Sequence, residues 1–198
     1  MERGHAEALV PMIVEVMEEA HCGFADLDLL AVTIGPGALT GLRVGLAAAR
    51  GMAVASGKPC VGATTLEAIA AAVDMTAYQG RELLVALRSR RAELYVQCFD
   101  ASGTPSVPPS ALLPADLGGI VGSSAAVVGD GSADAAEALT AAGIDAIVAA
   151  APGVADPGIV AGIAAARWTA GDQAVPPAPL YLRPPDAIRP AKGGRLRP

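Results

Sequence analysis

The sequence predicts an α/β fold. Short apolar runs alternate with stretches of helical periodicity along most of the chain, and Gly or Pro marks nearly every switch. The composition agrees, with 53% apolar residues but only 3% aromatic ones across 198 residues. Ala, Gly, Val and Leu must therefore fill the core, which favours close-packed helices over large aromatic pockets. A chain of this length buries roughly 70% of its unfolded surface, as one large domain or two small lobes.

The first element is a helix over His5–Ala20. Leu9, Ile13, Val16 and Ala20 recur at helical spacing, Val10 and Met17 widen the stripe, and Glu7, Glu15, Glu18 and Glu19 fill the other side. Pro11 falls in the early turns, where a missing N–H costs little, and Gly23 is the stop. Leu29–Ile34 is a buried strand, an apolar run bounded by acids and a Gly-Pro-Gly turn. A second helix follows over Gly41–Ala55, with Thr40 as N-cap, ended by Gly57-Lys58-Pro59. Cys60–Gly62 is a brief strand, and Thr65 caps a helix over Leu66–Val73.

After Gly80 the texture changes. Glu82–Arg88 and Ala92–Phe99 flank the basic turn Arg88–Arg91 and form a β-hairpin. Residues 101–125 hold four prolines and read as loop. Ala126–Gly131 is a strand entering a glycine turn, Ala133–Ala142 a helix, Ile144–Ala149 a strand and Gly158–Gly171 a helix. From Val175 the chain is Pro-rich and extended. This divides it into a first lobe (1–80), a second lobe (81–174) and a basic tail (175–198).

Several function classes drop out. The mean hydropathy of +0.45 invites a membrane reading, yet no stretch reaches the ~20 apolar residues of a span. Arg43 and Arg50 interrupt the best candidate. The start, Met1–His5, is no signal peptide, because no apolar segment follows a basic one. Cys22, Cys60 and Cys98 are odd in number without CxxC spacing, which reads as reduced, inert thiols in a cytoplasmic protein. Residues 1–182 carry nine basic and nineteen acidic residues, a net of −10, and the rest carry a net of +4. An acidic body is a poor partner for nucleic acid, and the basic tail reads as solvated.

Two stretches hold the candidate chemistry. Gly35-Pro36-Gly37, with Thr40 and Gly41 behind it, runs from a buried strand into a helix N-terminus. Backbone N–H groups and the helix dipole there can hold an anion, although the spacing matches neither a Walker A loop nor GxGxxG. The same geometry also serves as a tight strand-to-helix connection. Gly129-Asp130-Gly131 is a second turn of this kind. In the second helix Gly41, Gly45, Ala48 or Ala49, and Met52 fall on one side at four-residue steps. Each glycine costs a helix roughly 1 kcal/mol against alanine, so two on one side imply a close approach by another backbone. That approach is from a partner helix or from the chain's own sheet.

These motifs carry a resemblance. Ala31-Val32-Thr33-Ile34, Gly35-Pro36-Gly37, Gly41-Leu42, Val44-Gly45 and Ala48-Ala49-Arg50-Gly51-Met52-Ala53 are together similar to the TsaB (YeaZ) family and its catalytic relative TsaD. Gly4-His5-Ala6-Glu7, Leu9 and Pro11 resemble the TsaB helix ahead of that strand. Gly57, Pro59, Val61-Gly62 and Leu66-Glu67-Ala68 resemble the segment behind it. Arg90, Glu93-Leu94-Tyr95, Gly129-Asp130-Gly131 and Pro179–Pro185 continue the likeness toward the end. The resemblance implies an actin/Hsp70-like (ASKHA, ribonuclease H-like) fold of two lobes. It further implies a non-catalytic subunit that binds TsaD, beside the ATPase TsaE, in making threonylcarbamoyladenosine on tRNA. The chain would meet tRNA only through that complex, with homodimerisation as a further option. Family heterodimers form through the first two helices, which makes Leu9, Ile13, Leu42, Gly45, Leu46, Ala49 and Met52 the expected partner contacts. The alternative is an actin-like nucleotide-binding protein or phosphotransferase using Gly35–Gly41 and Gly129–Gly131.

Nothing in the sequence asks for a cofactor or metal. TsaD-like proteins carry a His-x-x-x-His pair where this chain has Thr65 and Ile69, and neither side chain replaces an imidazole. His5 and His21 sit sixteen residues apart at opposite ends of one helix, and Ser56, Ser89, Ser123 and Ser124 have no evident histidine partner. The chain also departs from the family. Family members open with three strands and an Ile-Asp-Thr-Ser-like turn, roughly 30–40 residues by ordinary element lengths, ahead of the first helix. Their absence is read as a start site placed too late, and it leaves about two strands in the first sheet with apolar helix faces uncovered. Ala38-Leu39 stands where the family prefers Ser-Phe, and Arg88 where it usually has Asp.

Overall fold

The computed structural model describes residues 5–168 and 176–183. Helix α1 (His5–Glu19) carries Pro11 inside it and is followed by a turn at His21, whose φ of 50° lies in the left-handed region. The helix therefore stops ahead of Gly23, which instead opens a 3-10 turn at Phe24–Asp26 with its N–H on the Asp26 carboxylate. Strand β1 (Leu30–Thr33) leads through the Gly35–Pro36 turn, a cis peptide, into α2 (Leu39–Ser56). The expected N-cap, Thr40, is an exposed residue of the first helical turn. Ala38 occupies the cap position, extended and accepting the Leu42 N–H through its carbonyl. Gly57, at φ 69°, ends α2 in the left-handed conformation that glycine adopts without strain.

Strand β2 (Cys60–Ala63) pairs parallel to β1 with Leu30 opposite Cys60, so two strands make up the first sheet among the described residues. Next comes α3 (Thr65–Ala71), capped by Thr64 rather than Thr65. The Thr64 hydroxyl accepts from the Glu67 N–H, and the Glu67 carboxylate accepts from the Thr64 N–H. Both bonds satisfy donors that a helix start leaves unpaired.

The second sheet runs β5-β4-β3-β6-β7. Its strands are β3 (Glu82–Arg88), β4 (Leu94–Phe99), β5 (Ser110–Leu112), β6 (Ser124–Val128) and β7 (Asp145–Val148). The β3–β4 hairpin matches the sequence expectation, and β4–β5 is also antiparallel, whereas β3–β6 and β6–β7 are parallel. Strand β5 and a 3-10 turn at Pro114–Gly119 fall within the stretch expected to be loop. Helices α4 (Ser132–Ala141) and α5 (Pro157–Arg167) complete the described elements.

Strand β3 explains its own composition. Leu83, Leu84, Val85 and Ala86 are all buried because both faces are covered, so they form a continuous apolar run instead of an alternation. Leu84 and Ala86 face a core with Val96, Val127, Leu117 and Leu139. Leu83 and Val85 face another with Leu66, Ile69, Phe99 and Val128. The packing does not divide at residue 80. Helix α3, from before it, lies on the second sheet, and α5, from after it, packs on the first. Residues 176–183 are extended, as expected, and docked on the protein, with the Leu180 N–H donating to the Ile34 carbonyl at 2.7 Å. The basic stretch from 184 to 198 lies outside the described residues.

Candidate functional site

Helices α1 and α2 pack on each other and present the candidate partner face. At about 100° per residue, the apolar residues of α1 sweep an arc of about 200° from Met12 and Val16, through Leu9, Ile13 and Met17, to Val10 and Val14. The middle of that arc is half-buried. Its two flanks are not: Val10, Met12, Val14 and Val16 are 46–57% exposed. The helix is thus apolar over a wider arc than its own chain covers, while Glu7, Glu15, Glu18 and Glu19 stay exposed.

Helix α2 sorts the expected contact residues into two groups. Leu46 and Ala49 are buried in the chain's own core, so they belong to the interior and not to a docking surface. The reason is helical phase, since both lie on the side turned to β1 and β2. Leu42, Gly45 and Met52 are half-buried at its margin. Among the described residues a Cβ placed on Gly41 or Gly45 would meet nothing within 4 Å, so neither glycine packs closely against β1 or β2. Leu39 and Val54, which the sequence reading did not single out, expose large apolar side chains on this helix.

The two glycine turns follow strands of different sheets and have different partners. In the first, Gly35 has φ 103°, and its carbonyl accepts the Thr65 N–H. A Cβ there would lie 3.1 Å from the Leu42 side chain and 3.2 Å from the Leu180 carbonyl. Pro36 is buried, whereas Gly37, Thr40 and Gly41 are open to varying degrees. In the second, Gly129 has φ 110°, and a Cβ would collide with the Ala86 carbonyl oxygen. The Gly131 N–H donates to that same oxygen, and the Asp130 carboxylate accepts the Arg88 N–H at 2.7 Å. Arg88, where the resemblance led one to expect Asp, also pairs with Asp134 at 2.9 Å. Close packing between β3 and the start of α4 is reason enough for glycine at 129 and 131.

The remaining chemical groups are tied into structure. Ile69 is fully buried in the core beside Leu83 and Val85, and Thr65 is the first residue of α3. His21 is exposed at the end of α1, beside an open concavity of about 310 Å³ lined by Val14, Met17, Glu18, Cys22 and Phe24. The His5 side chain falls outside what is described. The Ser56 and Ser89 hydroxyls donate to the Met52 and Glu93 carbonyls. Cys60 and Cys98 are buried free thiols, and burial pushes both pKa values up. Burial alone would raise the Glu67 carboxyl too. Hydrogen bonds from Thr64 and Arg167, with the Arg167 charge, outweigh it and hold the group below its ordinary value. No helix among the described residues is long and apolar enough to cross a membrane.

Comparison with known proteins places these features in context. Residues 1–109, more than half of the chain, match the family model described as TsaD, tRNA N6-adenosine threonylcarbamoyltransferase. A transferase of that name from Erythrobacter litoralis is 51% identical over 65 residues, which are 33% of this chain and 19% of the relative. An uncharacterized protein of Mycobacterium tuberculosis is 34% identical over 185 residues, covering 93% of this chain and 78% of that one. The chain therefore spans about a fifth of that transferase and most of the mycobacterial protein. Among solved structures, a Pseudomonas aeruginosa protein described as similar to peptidase YEAZ superposes with a TM-score of 0.69 at 25% identity. It is matched over 92% of this chain and 86% of that one. YeaZ from the same organism gives 0.66 at 24% identity, covering 91% and 85%.

Proposed function

The chain belongs to the TsaD family, on its TsaB (YeaZ) side with the two-lobe actin-like fold, and from that premise we propose that it is an accessory subunit of the tRNA threonylcarbamoylation machinery. It docks α1 and the open side of α2 on TsaD, supports the transfer to the adenosine beside the anticodon, and catalyses nothing itself. TsaE joins the assembly, tRNA is met through the complex, and without TsaD the same face pairs with a second copy. The complex works in the cytoplasm.

The observation that carries this reading is the uncovered face. Val10 and Val14 on one flank of α1 and Met12 and Val16 on the other stay exposed, and Gly41 and Gly45 leave open space that no described residue fills. Small residues at helical spacing let a second helix approach closely, and apolar flanks supply the area to be buried. Several large apolar side chains exposed on one helix are the kind of surface that interaction sites use. The accessory role is supported by Thr65 and Ile69, which stand where the resemblance places a metal pair: the first opens α3 and the second packs in the core. The acidic body argues against direct RNA binding.

Co-purification with TsaD tests the proposal. Gly45→Arg should leave the fold intact and weaken TsaD binding on the order of tenfold or more, as expected for a bulky group at the centre of a helix contact. Gly51→Arg, on an exposed part of α2 with equal space around it, should bind TsaD normally. A folded Gly45→Arg protein that binds TsaD as well as the parent would sink the interface. ATP with Mg²⁺ should not raise the melting temperature of the isolated chain. A nucleotide site filled at a hundred times its dissociation constant would add about 2.7 kcal/mol.

A further inference from the structure

We infer that residues 176–183 are a clasp coupling the two lobes, so that the glycine turn and the start of α2 move with the β3–β4 hairpin. Four attachments made by eight residues carry this inference. Pro177 is buried against Gly62 of β2, where an added Cβ would collide with the Ile34 side chain and reach the Pro177 ring at 3.0 Å. Leu180 donates its N–H to the Ile34 carbonyl at 2.7 Å, and its own carbonyl lies over Gly35. The Tyr181 hydroxyl accepts from Arg43 Nε at 3.0 Å, with the guanidinium 5.8 Å from the ring centroid. Arg183 then crosses to the second lobe and pairs with Glu93 at 3.0 Å, both side chains being less than a third exposed.

The far end is anchored in turn. Glu93 immediately precedes β4, the return strand of the hairpin, and its carbonyl is held by the Ser89 hydroxyl. The other arm of the hairpin is fixed to the start of α4 through the Arg88 N–H and Asp130. The chain thus forms a continuous hydrogen-bonded and ionic path from Ile34 and Arg43 in the first lobe to Glu93 in the second. Glycines at 35 and 62 make room for the segment at its first-lobe end. A passive tail needs no such seats, and a partly buried ion pair between sequence-distant elements is screened less than a surface one.

Hydrogen exchange on the full chain tests the clasp, read at two amides remote from the ion pair. These are Thr65, which donates to Gly35, and Leu42, which donates to Ala38. Arg183→Glu and Glu93→Arg should each speed exchange at both amides about fivefold, the factor matching loss of a pair at the upper end of exposed-pair strengths. The unfolding constant from urea titration should rise by no more than that same factor. The double variant, which restores the pair with its charges exchanged, should return exchange to the parent rate. Leu180→Pro, which removes the N–H given to Ile34, should speed the same two amides with the ion pair left in place. Faster exchange confined to residues 93–95 and 181–183 would overturn the inference. So would single variants that the double variant does not rescue, or a Leu180→Pro protein unchanged at Thr65 and Leu42.

Discussion

The glycines of α2 and those of the second turn look alike in the sequence and have opposite surroundings. Gly129 and Gly131 are crowded by the Ala86 carbonyl, so the backbone approach that demands them is made inside the chain. Gly41 and Gly45 have no described residue within 4 Å of where a side chain would start. A glycine motif reports that something comes close, and only the fold says whether that neighbour is already present. Where it is, the glycine is a matter of stability. Where it is not, an external partner becomes the economical explanation.

Substitutions sharpen this contrast. Gly129→Ala forces a non-glycine residue to φ 110° and drives its Cβ into a carbonyl oxygen. It should cost about 3 kcal/mol or more, read as a large fall in the urea midpoint or loss of soluble protein. A Gly129→Ala chain as stable as the parent would end the distinction.

Glu67→Gln tests a polar anchor between the regions, since Glu67 caps α3 on the second sheet and pairs with Arg167 of α5 on the first. It should cost about 1–2 kcal/mol. The same group gives a pH signature. Its pKa is lowered in the folded chain, so its contribution is complete above the ordinary carboxyl value of 4.5 and is lost as pH falls through the lower folded value. Parent and Gln variant should therefore converge in melting temperature on acidification below that value, and a constant gap would refute the assignment.

The smallest effect has the opposite sign. Gly45→Ala and Gly51→Ala each replace a helical glycine in open space and should stabilise the isolated chain by about 0.5–1 kcal/mol. Only the first should weaken TsaD binding. A destabilised Gly45→Ala protein would mean the space is not open.

Much of the fold was legible in the sequence because its signals are local. The apolar run Leu83–Ala86 announces a strand covered on both faces, and the hairpin around Arg88–Arg91 follows from two such runs about a basic turn. What was not legible depends on neighbours. Strand β5 has three residues, too few for a period, and exists because β4 offers it an edge. Thr64 and Thr65 adjoin, so residue type alone offers two caps for α3 one position apart. The Thr-x-x-Glu spacing from Thr64 to Glu67 was the available signal. At the candidate face the glycine stripe was visible, but spacing alone could not tell that Leu46 and Ala49 turn inward. The exposure of Val54 and the docking of residues 176–183 carried no local signal, since both are set by residues distant in the chain.

The return of α5 to the first sheet has a consequence for synthesis. Strands β1 and β2 are made early, yet one of the helices that covers them ends at Arg167, more than a hundred residues after Thr33. As the chain leaves the ribosome, the second sheet can gather α3, its strands and α4 while the first still lacks part of its cover. The earlier of the two sheets is therefore the later to be completed, and its half-covered strands are the ones most in need of protection while translation continues.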